Sequence, residues 1–125
     1  MTITEFLEAR IAEDEAVALP FRNQLGETRR WKCDEIGGAV RYVGPRPFGL
    51  PDLLAKFDIH GEGEHVARWD PARVLAECAA KRAMLAKIPK MSDTFDLLGG
   101  TSEYVLRCLA AVYVNHPDYR QEWAL

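Results

Sequence analysis

The chain has 125 residues, 48% of them hydrophobic and 28% charged, which is the composition of one globular core and not of a disordered segment. Sixteen basic against nineteen acidic residues leave a net charge of −3, so no global field draws the chain to phosphate backbones or anionic lipid. Three cysteines without a CxxC pair exclude a disulfide framework. No apolar run is long enough to span a bilayer, and acidic residues stand where a signal peptide carries positive ones, so a soluble cytoplasmic protein with reduced thiols is expected.

A helix opens at about Thr2 or Thr4, Thr2 and Glu5 having the spacing of a capping box, and runs to about Leu19, where Pro20 stops it. Ile3, Phe6, Leu7, Ile11 and Val17 form its apolar stripe; Glu5, Glu8, Glu13, Asp14 and Glu15 read as a solvated face. Residues 20–69 are broken by glycine and proline. Short strand-type pieces lie between the breaks, Arg30–Cys33 and Ala39–Val43, with Gly37-Gly38 suited to the turn between them. Pro51 to Phe57 reads as a short helix, and Glu64 to Trp69 alternates as a third strand does. The helix over 70–89 has the clearest start in the chain: Asp70 is a good N-cap and Pro71 suits the first helical position, where its missing amide costs nothing. Val74, Leu75, Cys78, Leu85 and Ile88 supply its apolar side, and Pro89 is expected to end it. Residues 101–115 form the most apolar helix, through Val105, Leu106, Leu109, Ala110, Val112 and Tyr113, and are expected at the centre of the bundle. His116-Pro117-Asp118 closes that helix, and Tyr119 and Trp123 dock a tail over 116–125 back onto the core. The sum is an α+β fold over one domain, 1–125, with three main helices and a small antiparallel β-sheet from the middle segment.

Three separated blocks carry a resemblance. They are Phe6-Leu7-Glu8-Ala9-Arg10 with Glu13-Asp14-Glu15, then His65 to Leu75 (HVARWDPARVL), then Val105-Leu106-Arg107 with His116-Pro117-Asp118-Tyr119-Arg120. In that order they resemble an uncharacterised domain-of-unknown-function family of small proteins from actinobacteria and their phages. The resemblance implies provenance, an actinobacterial or actinophage protein, and carries over no catalytic or binding residues.

His65, Asp70, His116 and Asp118 are the side chains with metal-ligand chemistry, and an antiparallel pairing of the last two helices would bring them together. Each also has a structural reading: Asp70 as a cap, His116 beside a helix C-terminus, His65 bonded to backbone. Their spacing matches no ligand motif, and that reading outweighs the metal. Cys78 and Cys108 fall on apolar helix faces, where burial makes a thiol inert. Neither a P-loop, a dinucleotide fingerprint nor a nucleophile elbow occurs, and no cofactor is expected.

Arg29, Arg30, Lys32 and Arg41 lie close in sequence to Trp31 and Tyr42, a combination that can pair phosphates and stack bases. The acidic net charge ranks nucleic acid below a protein partner. Tryptophan, tyrosine and arginine dominate protein interfaces, which makes Trp31, Tyr42, Arg46 and Phe48 the expected contact residues. The expectation is therefore a non-enzymatic interaction factor that binds a protein partner or itself. Nucleic-acid binding and a metal-dependent enzyme using His65 and His116 are its rivals.

Overall fold

A computed structural model describes residues 1–19, 30–44, 51–95 and 100–125, the side chains of His60 and of residues 90–95 excepted. The described elements are α1 (Ile3–Ala18), β1 (Arg30–Cys33), β2 (Ala39–Val43), β3 (Leu53–Lys56), α2 (His60–Arg68), α3 (Pro71–Phe95) and α4 (Thr101–Ala110), with single 3₁₀ turns at Ala111–Tyr113 and Gln121–Trp123. The fold is α+β, as expected. Two compact units divide it, one made of Met1–Asp14 with Glu77–Leu125 and the other of Glu15–Ala76. Among the described residues no helix is long and apolar enough to cross a membrane.

In the first unit, α1 begins with the reciprocal cap that Thr2 and Glu5 announce. The Glu5 carboxylate accepts from the Thr2 amide at 2.7 Å, and the Glu5 amide donates to the Thr2 hydroxyl at 3.2 Å. That backbone donor, with the Thr2 hydroxyl behind it, holds the Glu5 carboxyl below the ordinary glutamate value. One turn on, Phe6, Leu7 and Ile11 are fully buried. Phe6 is ringed by aromatic side chains, with Trp123 at 5.0 Å, His116 at 5.8 Å, Tyr119 at 6.1 Å and Tyr113 at 6.2 Å between centroids. The tail docks as expected, and Trp123 is 6% exposed.

The expectation that the last helix is central is corrected. Ala110 is the buried residue of α4, while Tyr104 is 61% exposed and Val112 beyond its end 69%. Apolar content alone does not place a helix; α1 supplies the larger packed side chains and takes that role. Nor is the acidic face of α1 merely solvated: Glu13 pairs with Arg10 at 2.8 Å, and Asp14 accepts from the Tyr113 hydroxyl at 2.7 Å. That hydroxyl in turn accepts from Lys81 at 3.1 Å.

α3 starts at Pro71 as read but runs through Pro89 to Phe95. Proline removes one amide donor, yet its fixed φ is helical, and the exposed position of Pro89 leaves its ring room.

In the second unit the three strands are antiparallel in the order β1-β2-β3. β1 and β2 match the expected boundaries and pair Trp31 with Tyr42 and Cys33 with Val40. A register shift at Val40/Arg41 bends β2 where β3 joins. Two elements are exchanged relative to expectation: Leu53–Lys56 is a strand, not a helix, and His60–Arg68 is a helix, not a strand. Four residues make a poor helix nucleus, whereas β2 offers a row of backbone partners, extended by Tyr42 N–H to Asp52 O at 2.9 Å and Phe57 N–H to Gly38 O at 2.8 Å. For α2, packing overrides propensity. A Cβ on Gly63 would stand 2.9 Å from Cys33 Sγ and 3.1 Å from Gly38 O, so the glycine is what lets the helix lie against the sheet.

Candidate functional site

The corner between α2 and α3 is set by Asp70. One carboxylate oxygen caps α3 by accepting from the Arg73 amide at 2.9 Å, and the other accepts from the Trp31 amide of β1 at 3.1 Å. A single side chain thereby fixes the first turn of α3 to the strand. The preceding residue, Trp69, closes α2 with its amide directed at the carbonyls of His65 and Val66.

Around that corner Gly61, Glu64, His65, Arg68, Trp69 and Arg73 line a concavity of about 360 Å³. Trp69 keeps 44% of its surface exposed, unusual for an indole in so small a fold. The Arg73 guanidinium stacks over it, 4.0 Å from the ring centroid, and the His65 ring lies 6.3 Å away. Arg68 and His65 are exposed in the last turn of α2, where cations suit the helix dipole. The result is an aromatic plate stiffened by one arginine and edged by a second, with Glu64 at the rim.

The residues expected to ligate a metal are distributed over both units. His65 belongs to the corner just described, and Asp70 has both oxygens on backbone amides. His116 and Asp118 lie instead around Arg10, which is 6% exposed. Arg10 Nη1 is 2.5 Å from His116 Nδ1, close also to Nε2, and 3.5 Å from Asp118; Nη2 holds Glu13. This cluster ties the segment after α4 to α1. Among the described residues no group of three or more histidine, cysteine, aspartate or glutamate side chains is arranged to hold a metal ion.

The sheet separates the aromatic from the cationic candidates. Trp31 and Tyr42 face each other on the side that carries Cys33 and Val40, toward α2, and both are half-buried. Arg30, Lys32 and Arg41 alternate onto the opposite side. Arg30 and Lys32 are exposed there, but Arg41 is held by Asp34 at 2.9 Å and Asp52 at 3.2 Å. Those carboxylates, Asp34 first, push the Arg41 pKa still higher. Arg29, Arg46 and Phe48 lie outside the described residues.

Of the thiols, Cys78 is buried, 4.0 Å from the Ile11 carbonyl, as its apolar face predicts, whereas Cys108 is exposed, a correction. Loss of solvation, then the charges of Glu64 and Asp34, push the Cys33 thiol up. A further cavity of about 390 Å³ lies between Met84, Ile88 and Val105 on α3 and α4; it is almost wholly apolar and has few groups that would orient a ligand.

Sequence reading passes over Arg68, Trp69 and Arg73 as a site. A family model described as "Family of unknown function (DUF6221)" matches residues 1–125. No curated protein and no solved structure matches the chain.

Proposed function

We propose that this chain, which belongs to the family of unknown function DUF6221, is a non-enzymatic cytoplasmic interaction factor of actinobacterial or actinophage origin that binds a protein partner through the α2–α3 corner. The observation that carries the reading is the half-exposed Trp69 with Arg73 stacked on it, inside a concavity edged by Arg68 and His65. Tryptophan and arginine dominate interface hot spots, and a preformed stack loses little freedom on binding. Trp31 and Tyr42, expected as contact residues, are half-buried, and the Trp31 amide meets the corner through its bond to Asp70.

The test is affinity capture from an actinobacterial lysate, with and without nuclease, using the whole chain and its Trp69→Ala variant. One host protein retained in both samples and lost with Trp69→Ala supports the reading. Capture that disappears with nuclease, or that Trp69→Ala leaves intact, overturns it.

A further inference from the structure

α4 carries the clearest mismatch between composition and position. Ala110 is its buried residue, while Thr101, Tyr104 and Cys108 are exposed and Val105 is half-buried. The 3₁₀ turn that follows continues the same side, with Ala111 half-buried and Val112 exposed. These positions recur at intervals of three and four, which is one stripe of a helix, and the stripe is turned outward. An apolar stripe left to solvent in this way marks a surface that another chain covers.

Size and charge say which chain. Cys108 is small and sits in the middle, with Tyr104 four residues before it and Val112 four after. Turned about a two-fold axis at Cys108, a second copy runs antiparallel and sets its Val112 against Tyr104 and its Ala111 against Val105. A larger side chain then meets a smaller one at each step, and the small residue at the crossing lets the helices approach. A parallel pair would set each tyrosine on its twin and leave the sizes unmatched. Residues 101–115 hold one acidic and one basic side chain, and these are bonded to each other, Arg107 Nη2 to Glu103 at 2.6 Å. The stripe thus offers nothing to a partner of either sign and matches a face as neutral as itself. The further charge nearby is exposed Lys87 on α3, which lines the cavity beside Thr101, Ser102 and Val105. In the antiparallel pair this cation stands at the C-terminal end of the second copy's helix, the end where the helix dipole favours it.

We infer that the chain forms a symmetric dimer in which α4 packs antiparallel on α4 of a second copy, with Cys108 at the two-fold axis. This surface is independent of the α2–α3 corner, so the two readings stand or fall separately. One short helix buries less than the roughly 800 Å² per partner of a standard interface, so a dissociation constant on the order of 100 µM is expected.

Sedimentation equilibrium of the whole chain tests this. The mass should double as the chain is concentrated through that range, and alkylation of Cys108, ready in the dilute chain, should slow in step. Tyr104→Glu and Val112→Lys each bring an unpaired charge into the contact and should weaken association at least about tenfold. Carried together, they oppose acid to base across the axis, and association should return to within about threefold of the unchanged chain. Both positions are exposed, so the fold should survive each change, which circular dichroism reports. A chain still monomeric at about 1 mM overturns the inference. So does association that both single variants leave intact, a double variant that does not recover, or Cys108 alkylation that ignores concentration. If the chain is monomeric and a different protein is captured from lysate and lost with Tyr104→Glu, the stripe belongs to that protein and the dimer is overturned.

Discussion

Alanine at two glycines of one helix should shift stability in opposite directions. Gly61 and Gly63 both lie in α2, and in each case alanine restores up to about 1 kcal/mol of helix propensity. At Gly61 the new methyl meets open space, so the gain survives, reduced to roughly 0.5 kcal/mol because the first turn frays. At Gly63 it would stand 2.9 Å from Cys33 Sγ and 3.1 Å from Gly38 O, where about 3.5–4.0 Å is comfortable. The sulfur can rotate away; the carbonyl cannot, because Gly38 accepts from Phe57 N–H at 2.8 Å and its own Cα faces Phe57 O closely enough that a Cβ there would lie 1.9 Å from it. Overpacking of this kind costs about 1–3 kcal/mol, which leaves Gly63→Ala destabilising by up to about 2 kcal/mol after the propensity gain. Urea unfolding followed by circular dichroism reads both variants, and Cys33→Ala should recover part of the Gly63→Ala loss but not all of it. If Gly63→Ala is as stabilising as Gly61→Ala, α2 does not lie against β1 and β2 as described, and the reasoning fails.

Asp70→Ala removes a helix cap and leaves the Trp31 amide without its acceptor, so a loss of about 2–3 kcal/mol is expected in the same assay, with a smaller loss for Asp70→Asn. A loss below roughly 0.5 kcal/mol would show that the two bonds do not hold the corner. The Tyr113 hydroxyl is pushed well above its ordinary value by loss of solvation and by its bond to Asp14. The folded state therefore keeps that proton longer than the unfolded chain does. The stabilisation is fully present below the ordinary tyrosine value of about 10 and is lost as pH rises toward the folded value; Tyr113→Phe should flatten that alkaline decline. An unchanged alkaline profile in Tyr113→Phe would show that another group governs it. Thiol labelling of the native chain should modify Cys108 first and Cys78 only on unfolding, with Cys33 slowed by its raised pKa. Equal rates for Cys108 and Cys78 would refute the burial assigned to them.

Where local chemistry decides structure, the sequence is a sound guide here. The Thr2–Glu5 box, the Asp70-Pro71 start and the strands on either side of Gly37-Gly38 are each set by neighbours within a few residues, and each appears as read. The errors fall where a distant partner decides. Leu53–Lys56 becomes a strand because β2 has a free edge, and His60–Arg68 becomes a helix because Gly63, which weakens it in isolation, lets it reach Cys33 and Gly38. α4 is placed less deeply than its apolar residues suggest because Phe6, Leu7 and Ile11 on α1 already fill the interior of their unit.

The same exchange of helix for strand hid the candidate site. Taken as a strand, Glu64 to Trp69 points its side chains alternately to two faces, and His65, Arg68 and Trp69 do not share a surface. Taken as a helix, Gly61, Glu64, His65, Arg68 and Trp69 stand at i, i+3, i+4, i+7 and i+8, which is one stripe, and Arg73 follows four residues later across the capped corner. On the sheet, Trp31 and Tyr42 are neighbours of Arg30, Lys32 and Arg41 in sequence, yet a strand sends neighbours to opposite sides. In a strand a cation and an aromatic one residue apart point to opposite sides, whereas on a helix neighbours such as Arg68 and Trp69 can share a stripe. His65, Trp69 and Arg73 thus bring an exposed aromatic ring and charged side chains onto one surface.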